Sequence, residues 1–210
     1  MVHLVRVLFY TLVVRPFLAL VIGLRVKGRE HLERDAQLLI VSNHNSHLDT
    51  LVLLDLIGPW RMHRFRPVAA ADYFQKSAPL DAVTSLLFNI LPIRRTGGDA
   101  AGDPIEVMAS ALDGGDSLII YPEGTRGEPE QMARFRSGAG RLIARYPQLE
   151  VIPVYLDGMG RILPKGSWYP VPFIGRVNVG APRRMEGTPA EITAALEAAV
   201  RELKRACRGE

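Results

Sequence analysis

From Val2 to Leu24 the chain is mostly Leu, Val, Phe and Ile with no acidic residue, but Arg6, Arg15 and Pro16 interrupt the run. Neither half reaches the ~20 consecutive apolar residues that cross a bilayer. A cleaved leader is not expected, because the apolar centre is broken and no small-residue cleavage site follows. The pattern fits a helical segment that lies in, or is shallowly inserted into, a membrane interface, with its arginines snorkelling to the headgroups. Residues 1–25 are therefore read as a membrane anchor and 26–210 as one domain.

Over the rest of the chain, short apolar runs alternate with helical periodicity. Gln37 to Ser42 reads as a buried strand, Asp49 to Ile57 as a helix stopped by Gly58-Pro59, and Pro67 to Ala71 as a second strand. Leu80 to Leu91 reads as a helix leading into the short Pro92-Ile93-Arg94-Arg95 segment. Pro104 to Leu112 is predicted helical, stopped by Gly114-Gly115, and Ser117 to Tyr121 is predicted to be a strand. A helix over Gly138 to Arg145, strands over Val151 to Tyr155 and Arg176 to Gly180, and a final helix from Pro189 to about Arg205 complete the pattern. Thr188 and Glu191 have the spacing of a capping box at the start of that last helix. Strands separated by helices predict an α/β fold, a single domain with a mixed sheet flanked by helices.

Composition narrows this picture a little. The 210 residues carry a formal net charge of +4, which favours anionic partners such as lipid headgroups, nucleotide phosphates or an acidic carrier protein. Cys207 is the only cysteine, which excludes an intrachain disulfide and points to a reducing compartment.

The candidate chemistry sits in two blocks, Asn43-His44-Asn45-Ser46-His47-Leu48-Asp49 and Glu123-Gly124-Thr125-Arg126. An imidazole exchanges protons near neutral pH, and a carboxylate can hold its tautomer and stabilise its cation. Residues five apart on an ideal helix lie about 140° apart, so His44 and Asp49 cannot share a helix face. They must bracket a strand-to-helix turn, with Asn45 or Ser46 placed to cap the helix. Such turns expose reactive groups at the carboxyl ends of strands. The arginine of the second block offers a fork suited to phosphate. Rival readings remain open at this point: His44, His47 and Asp49 as metal ligands, Ser46 or Ser137 as a nucleophile, or a capping turn with no chemistry.

Taken in order, these blocks resemble those of the glycerolipid acyltransferases typified by 1-acyl-sn-glycerol-3-phosphate acyltransferase, also called lysophosphatidic acid acyltransferase. Asn43, His44 and Asp49 match the first motif of that family, and Glu123, Gly124, Thr125 and Arg126 match its Glu-Gly-Thr-Arg motif in full. Ile93-Arg94-Arg95, Phe135-Arg136-Ser137-Gly138 and Val151-Ile152-Pro153-Val154 resemble three further blocks in family order. The resemblance implies His44 as general base and Asp49 as its partner. It also implies that Arg126 and, by register, Arg95 bind the acceptor phosphate, with Glu123, Gly124 and Thr125 shaping that pocket. It implies transfer of a fatty acyl group from acyl-CoA or acyl carrier protein to the sn-2 hydroxyl of 1-acyl-glycerol-3-phosphate, with a related lysolipid such as a lyso-ornithine lipid as the alternative acceptor. No cofactor, metal or nucleic acid is expected. The expected partners are a lysophospholipid, the acyl thioester and the membrane surface, at the cytoplasmic face of the cell membrane.

Overall fold

The computed structural model describes residues 2–71, 86–94, 103–127, 131–163 and 169–209. At its centre, β2 (Leu38–Ser42) and β5 (Ser117–Ile120) are buried at every position, which is why both read as unbroken apolar runs. Around them stand β1 (Ile22–Lys27), β3 (Phe65–Ala70), β4 (Leu91–Ile93), β6 (Glu150–Asp157) and β7 (Phe173–Val179). Among the described residues these seven strands form one sheet in the order β1-β7-β6-β2-β5-β3-β4. Every pairing is parallel except β6 with β7, so the sheet is mixed, as expected. Strands β2 to β6 run one way and β1 and β7 the other. The carboxyl ends of β2, β5 and β6 therefore share an edge with the amino ends of β1 and β7.

Alternation along the strands sends side chains to two cores. Leu38 and Ile40 of β2 face a core that includes Tyr10, Val14 and Leu18 of α1 (Val2–Val21) and Val52, Leu53 and Leu56 of α2 (Leu48–Ile57). Leu39 and Val41 face the opposite core, built with α3 (Pro104–Asp113), α4 (Gly138–Arg145) and α6 (Pro189–Arg208). A single-turn helix, α5 (Met159–Ile162), follows β6 after Gly158. The cap of α6 is the predicted one: Thr188 Oγ1 accepts from Glu191 N, and Glu191 returns a carboxylate to Thr188 N.

The N-terminal apolar segment is one 20-residue helix with a π turn over Tyr10–Val14. Arg15 is held in it by Asp55 of α2 at 2.7 Å, and Arg6 donates to the Leu86 carbonyl. The helix runs straight into β1, which starts at Ile22, inside the stretch read as anchor. Its apolar residues continue into the strand without a break in pattern, so the change of period is invisible in the sequence. Of the helix predicted over Leu80 to Leu91, residues 86–88 are helical, residues up to 85 lie outside the described residues, and Leu91 opens β4 instead. Arg61, Arg64 and Arg66, around the start of β3, are each tied to a neighbouring element. Arg61 holds the carbonyls of Leu32 and Arg34, Arg64 pairs with Asp35, and Arg66 lies 3.4 Å from Asp116.

Candidate active site

The chain leaves β2 through Asn43, whose side chain takes over from the backbone ladder. Its Nδ2 donates to the Leu156 carbonyl and its Oδ1 accepts from Leu156 N, both at 2.8 Å, so the amide mimics one more strand residue against β6. This fixes where the next residue, His44, leaves the sheet.

His44 Nδ1 lies 2.9 Å from Asp49 Oδ2. Asp49 is fully buried, and the same oxygen accepts from the backbone N–H groups of Asn45 at 2.7 Å and Ser46 at 2.8 Å. The pair brackets the strand-to-helix turn as its spacing requires. The capping differs from the expectation. Ser46 Oγ accepts from Leu48 N at 3.3 Å, but the amides of Asn45 and Ser46 are satisfied by the Asp49 carboxylate reaching back from the first turn of α2. One group thus holds the turn and the imidazole together.

The second block clamps His44 through its backbone. After β5 the chain turns at Pro122, and Glu123 points its buried carboxylate inward. Glu123 Oε1 accepts from His44 N at 2.8 Å, and Oε2 accepts from Ala133 N at 2.7 Å. Gly127 N donates to the His44 carbonyl at 3.0 Å, so both backbone polar groups of His44 are held by residues 123–127. Burial raises the Glu123 pKa, and the two backbone donors offset part of that rise.

Gly124 has φ +76°, a left-handed conformation that glycine adopts without cost. A side chain there would also collide with Arg136, whose Nε lies 2.9 Å from the place a Cβ would occupy. Thr125 is exposed and Arg126 partly buried. Arg126 lowers the pKa of His47 across the site: loss of water around the ring, then Arg126, then His44 push His47 down to about 4. The predicted partner Arg95 lies outside the described residues.

Tyr121 was not singled out from the sequence. Its ring stacks on the His44 imidazole with centroids 4.2 Å apart and planes at 20°, and its hydroxyl meets Thr50 Oγ1 at 2.8 Å. Burial and the nearby Asp49 raise its pKa, which keeps the phenol protonated. His44 is thereby fixed in plane by Asp49 and across its face by Tyr121, which leaves Nε2 to work. Among the described residues no group of three or more His, Cys, Asp or Glu side chains converges to hold a metal ion. An imidazole whose Nδ1 faces a buried carboxylate can take a proton from an alcohol at Nε2.

The Acyltransferase family model matches residues 23–157, which takes in both blocks and six of the seven strands. The chain belongs to that family. It is similar to 1-acyl-sn-glycerol-3-phosphate acyltransferase LPAT1 from the chloroplast of Arabidopsis thaliana, 27% identical over 166 residues that cover 79% of this chain and 43% of the relative. The mouse 1-acyl-sn-glycerol-3-phosphate acyltransferase alpha is 28% identical over 137 residues, 65% of this chain and 46% of the relative. The matched stretch thus spans less than half the length of these relatives. The crystal structure of PlsC, the 1-acyl-sn-glycerophosphate (LPA) acyltransferase of Thermotoga maritima, superposes with a TM-score of 0.68 at 21% identity, covering 90% of this chain and 72% of that one. That likeness establishes the shared α/β fold.

Proposed function

We propose that this protein is an O-acyltransferase that moves a fatty acyl group from acyl-CoA or acyl carrier protein to the sn-2 hydroxyl of 1-acyl-glycerol-3-phosphate, giving phosphatidic acid. The observation that carries the reading is the clamp on His44: Asp49 on Nδ1, Tyr121 on the ring face, and residues 123–127 on its backbone. With Nδ1–H donated to Asp49, Nε2 is the free acceptor. It removes the proton from the acceptor hydroxyl as that oxygen attacks the thioester carbonyl. The tetrahedral intermediate collapses with cleavage of the C–S bond, and the imidazolium returns the proton to the departing thiolate. Atoms and charge balance with no enzyme nucleophile and no cofactor.

Asp49 stabilises the imidazolium that forms, as the carboxylate of a Ser-His-Asp triad does. Tyr121 adds the negative face of its ring to the same cation. Arg126, with Arg95, takes the acceptor phosphate, and Gly124 and Thr125 shape the approach to it. Glu123, whose two oxygens are both engaged by backbone amides, acts as a strut for His44. The outward residues of α1, including Leu4, Leu8, Leu12 and Leu20, are exposed and apolar, which supports seating the enzyme on a membrane surface, in this reading the cytoplasmic face of the cell membrane.

The test is a panel of lysolipids offered with labelled acyl-CoA or acyl carrier protein, with products read by mass. Phosphatidic acid formed from lysophosphatidic acid is the expected product. A lyso-ornithine lipid acylated while lysophosphatidic acid is ignored would overturn the acceptor assignment.

A further inference from the structure

A second apolar surface stands at the sheet edge that carries His44. Phe173 and Ile174, 42% and 48% exposed, open β7, and exposed Tyr169 and Val171 precede them. Register pairs Ile22 with Phe173 and Gly23 with Ile174, immediately beyond the end of α1. Leu20, 83% exposed, is the last outward residue of α1 before this point. Strand alternation puts Phe173 on the same face as Val177, the face that α1 covers.

Strand direction places this surface relative to the chemistry. Arg176 of β7 pairs with Asp157 at the end of β6, so Phe173 lies past the carboxyl end of β6, on the edge from which His44 emerges. Hydrogen bonds join the two. Ser46 Oγ donates to the Leu163 carbonyl at 3.0 Å, and Val171 N donates to the Ile162 carbonyl at 2.7 Å. Positive charge borders the apolar side chains. The Arg161 guanidinium lies 5.6 Å from the Phe173 ring centroid, and Arg25 and Arg176 are neighbours in register, with Asp157 3.6 Å from Arg176.

We infer that Tyr169, Val171 and Phe173, with Ile174 beside them on the other face of β7, dock on a phospholipid bilayer at the sheet edge where α1 ends and turn the His44 edge of the sheet towards its headgroups. A bilayer fits this surface because exposed apolar side chains rimmed by arginines gain from apolar burial and from anionic headgroups together. Its position beside the end of a 20-residue apolar helix extends one contact area along the molecule. The acceptor then reaches His44 from the membrane without leaving it for water. That purpose rests on the lipid-acyltransferase reading, but the docking does not.

The test places a polarity-sensitive fluorophore at Val171→Cys in a Cys207→Ser background, with Asp35→Cys as the label at the opposite edge, where the side chain is 91% exposed. On vesicles of phosphatidylcholine and phosphatidylglycerol, the label at 171 shifts to the blue and becomes shielded from an aqueous quencher, while the label at 35 does neither. The double variant V171D/I174D lowers vesicle partitioning about tenfold or more, with its melting temperature read alongside. An unshifted label at 171 on vesicle-bound protein overturns the proposal, and so does a label at 35 that shifts equally. Turnover of a monomeric short-chain lysolipid by the wild type judges the catalytic reading separately.

Discussion

Replacing Glu123 with Gln separates a strut from a substrate ligand. The carboxylate accepts one backbone N–H on each oxygen, from His44 at 2.8 Å and from Ala133 at 2.7 Å. Glutamine has one acceptor oxygen, so its NH₂ must face one of those donors. A hydrogen bond to a charged group contributes about 1.5–3 kcal/mol, and a buried donor left unpaired costs about 1–3 kcal/mol. Against this stands relief of the burial that raises the Glu123 pKa. A net loss of about 2 kcal/mol follows, or roughly 4–8 °C in melting temperature for a chain of this size.

The sign of the pH dependence adds a second readout. A carboxyl whose folded pKa is raised holds its proton more tightly folded than unfolded. Wild-type stability therefore declines as pH rises from the unfolded carboxylate pKa through the raised folded value, and the E123Q variant lacks that decline. Because His44 loses its backbone support, kcat falls about tenfold while KM for the acceptor stays within about twofold. Thermal melting at several pH values and steady-state kinetics check these points. An unchanged melting temperature with a large rise in acceptor KM would refute the strut and make Glu123 a substrate ligand.

Other substitutions follow from the same geometry. Tyr121→Leu removes the ring stacked on His44 and lowers kcat about tenfold with acceptor KM retained, whereas Tyr121→Phe keeps the stack and most of the rate; equal loss in both would make the Thr50 hydrogen bond decisive. An NMR titration is expected to place the His47 midpoint near 4, and Arg126→Gln to move it upward, because one of the charges that disfavours its cation is gone; an unmoved midpoint would separate Arg126 from the site. Gly140→Ala drives a methyl group of α4 into the Pro189 carbonyl and Thr193 hydroxyl of α6. Overpacking of about 1–3 kcal/mol or more then exceeds the ~1 kcal/mol gain in helix propensity, so the melting temperature falls, and a rise would contradict that packing.

The parts of the fold visible in the sequence are those whose cause is local. β2 and α6 declared themselves through an unbroken apolar run and a capping box, and the His44–Asp49 spacing excluded a shared helix face. β1 was hidden because α1 hands its apolar pattern straight to the strand at Ile22. β4 was hidden because Leu91 also satisfies the period of the helix predicted before it. At the site, the imidazole and its carboxylate were legible, but the engagement of Glu123 was not. Its donors are the backbone amides of residues 79 and 10 positions away, and no side-chain pattern records them. Tyr121 looked like the last residue of a strand, and only the return of β5 beside β2 brings its ring over His44.

In the proposed reaction His44 deprotonates an acceptor alcohol that attacks an acyl thioester. Free thiol released from acyl-CoA, followed with and without lysophosphatidic acid, tests it most directly. Release is expected to require the acceptor, to match phosphatidic acid formed one for one, and to fall by at least about a thousandfold in a folded His44→Ala variant. Thiol release at full rate without acceptor, or undiminished in His44→Ala, would contradict it.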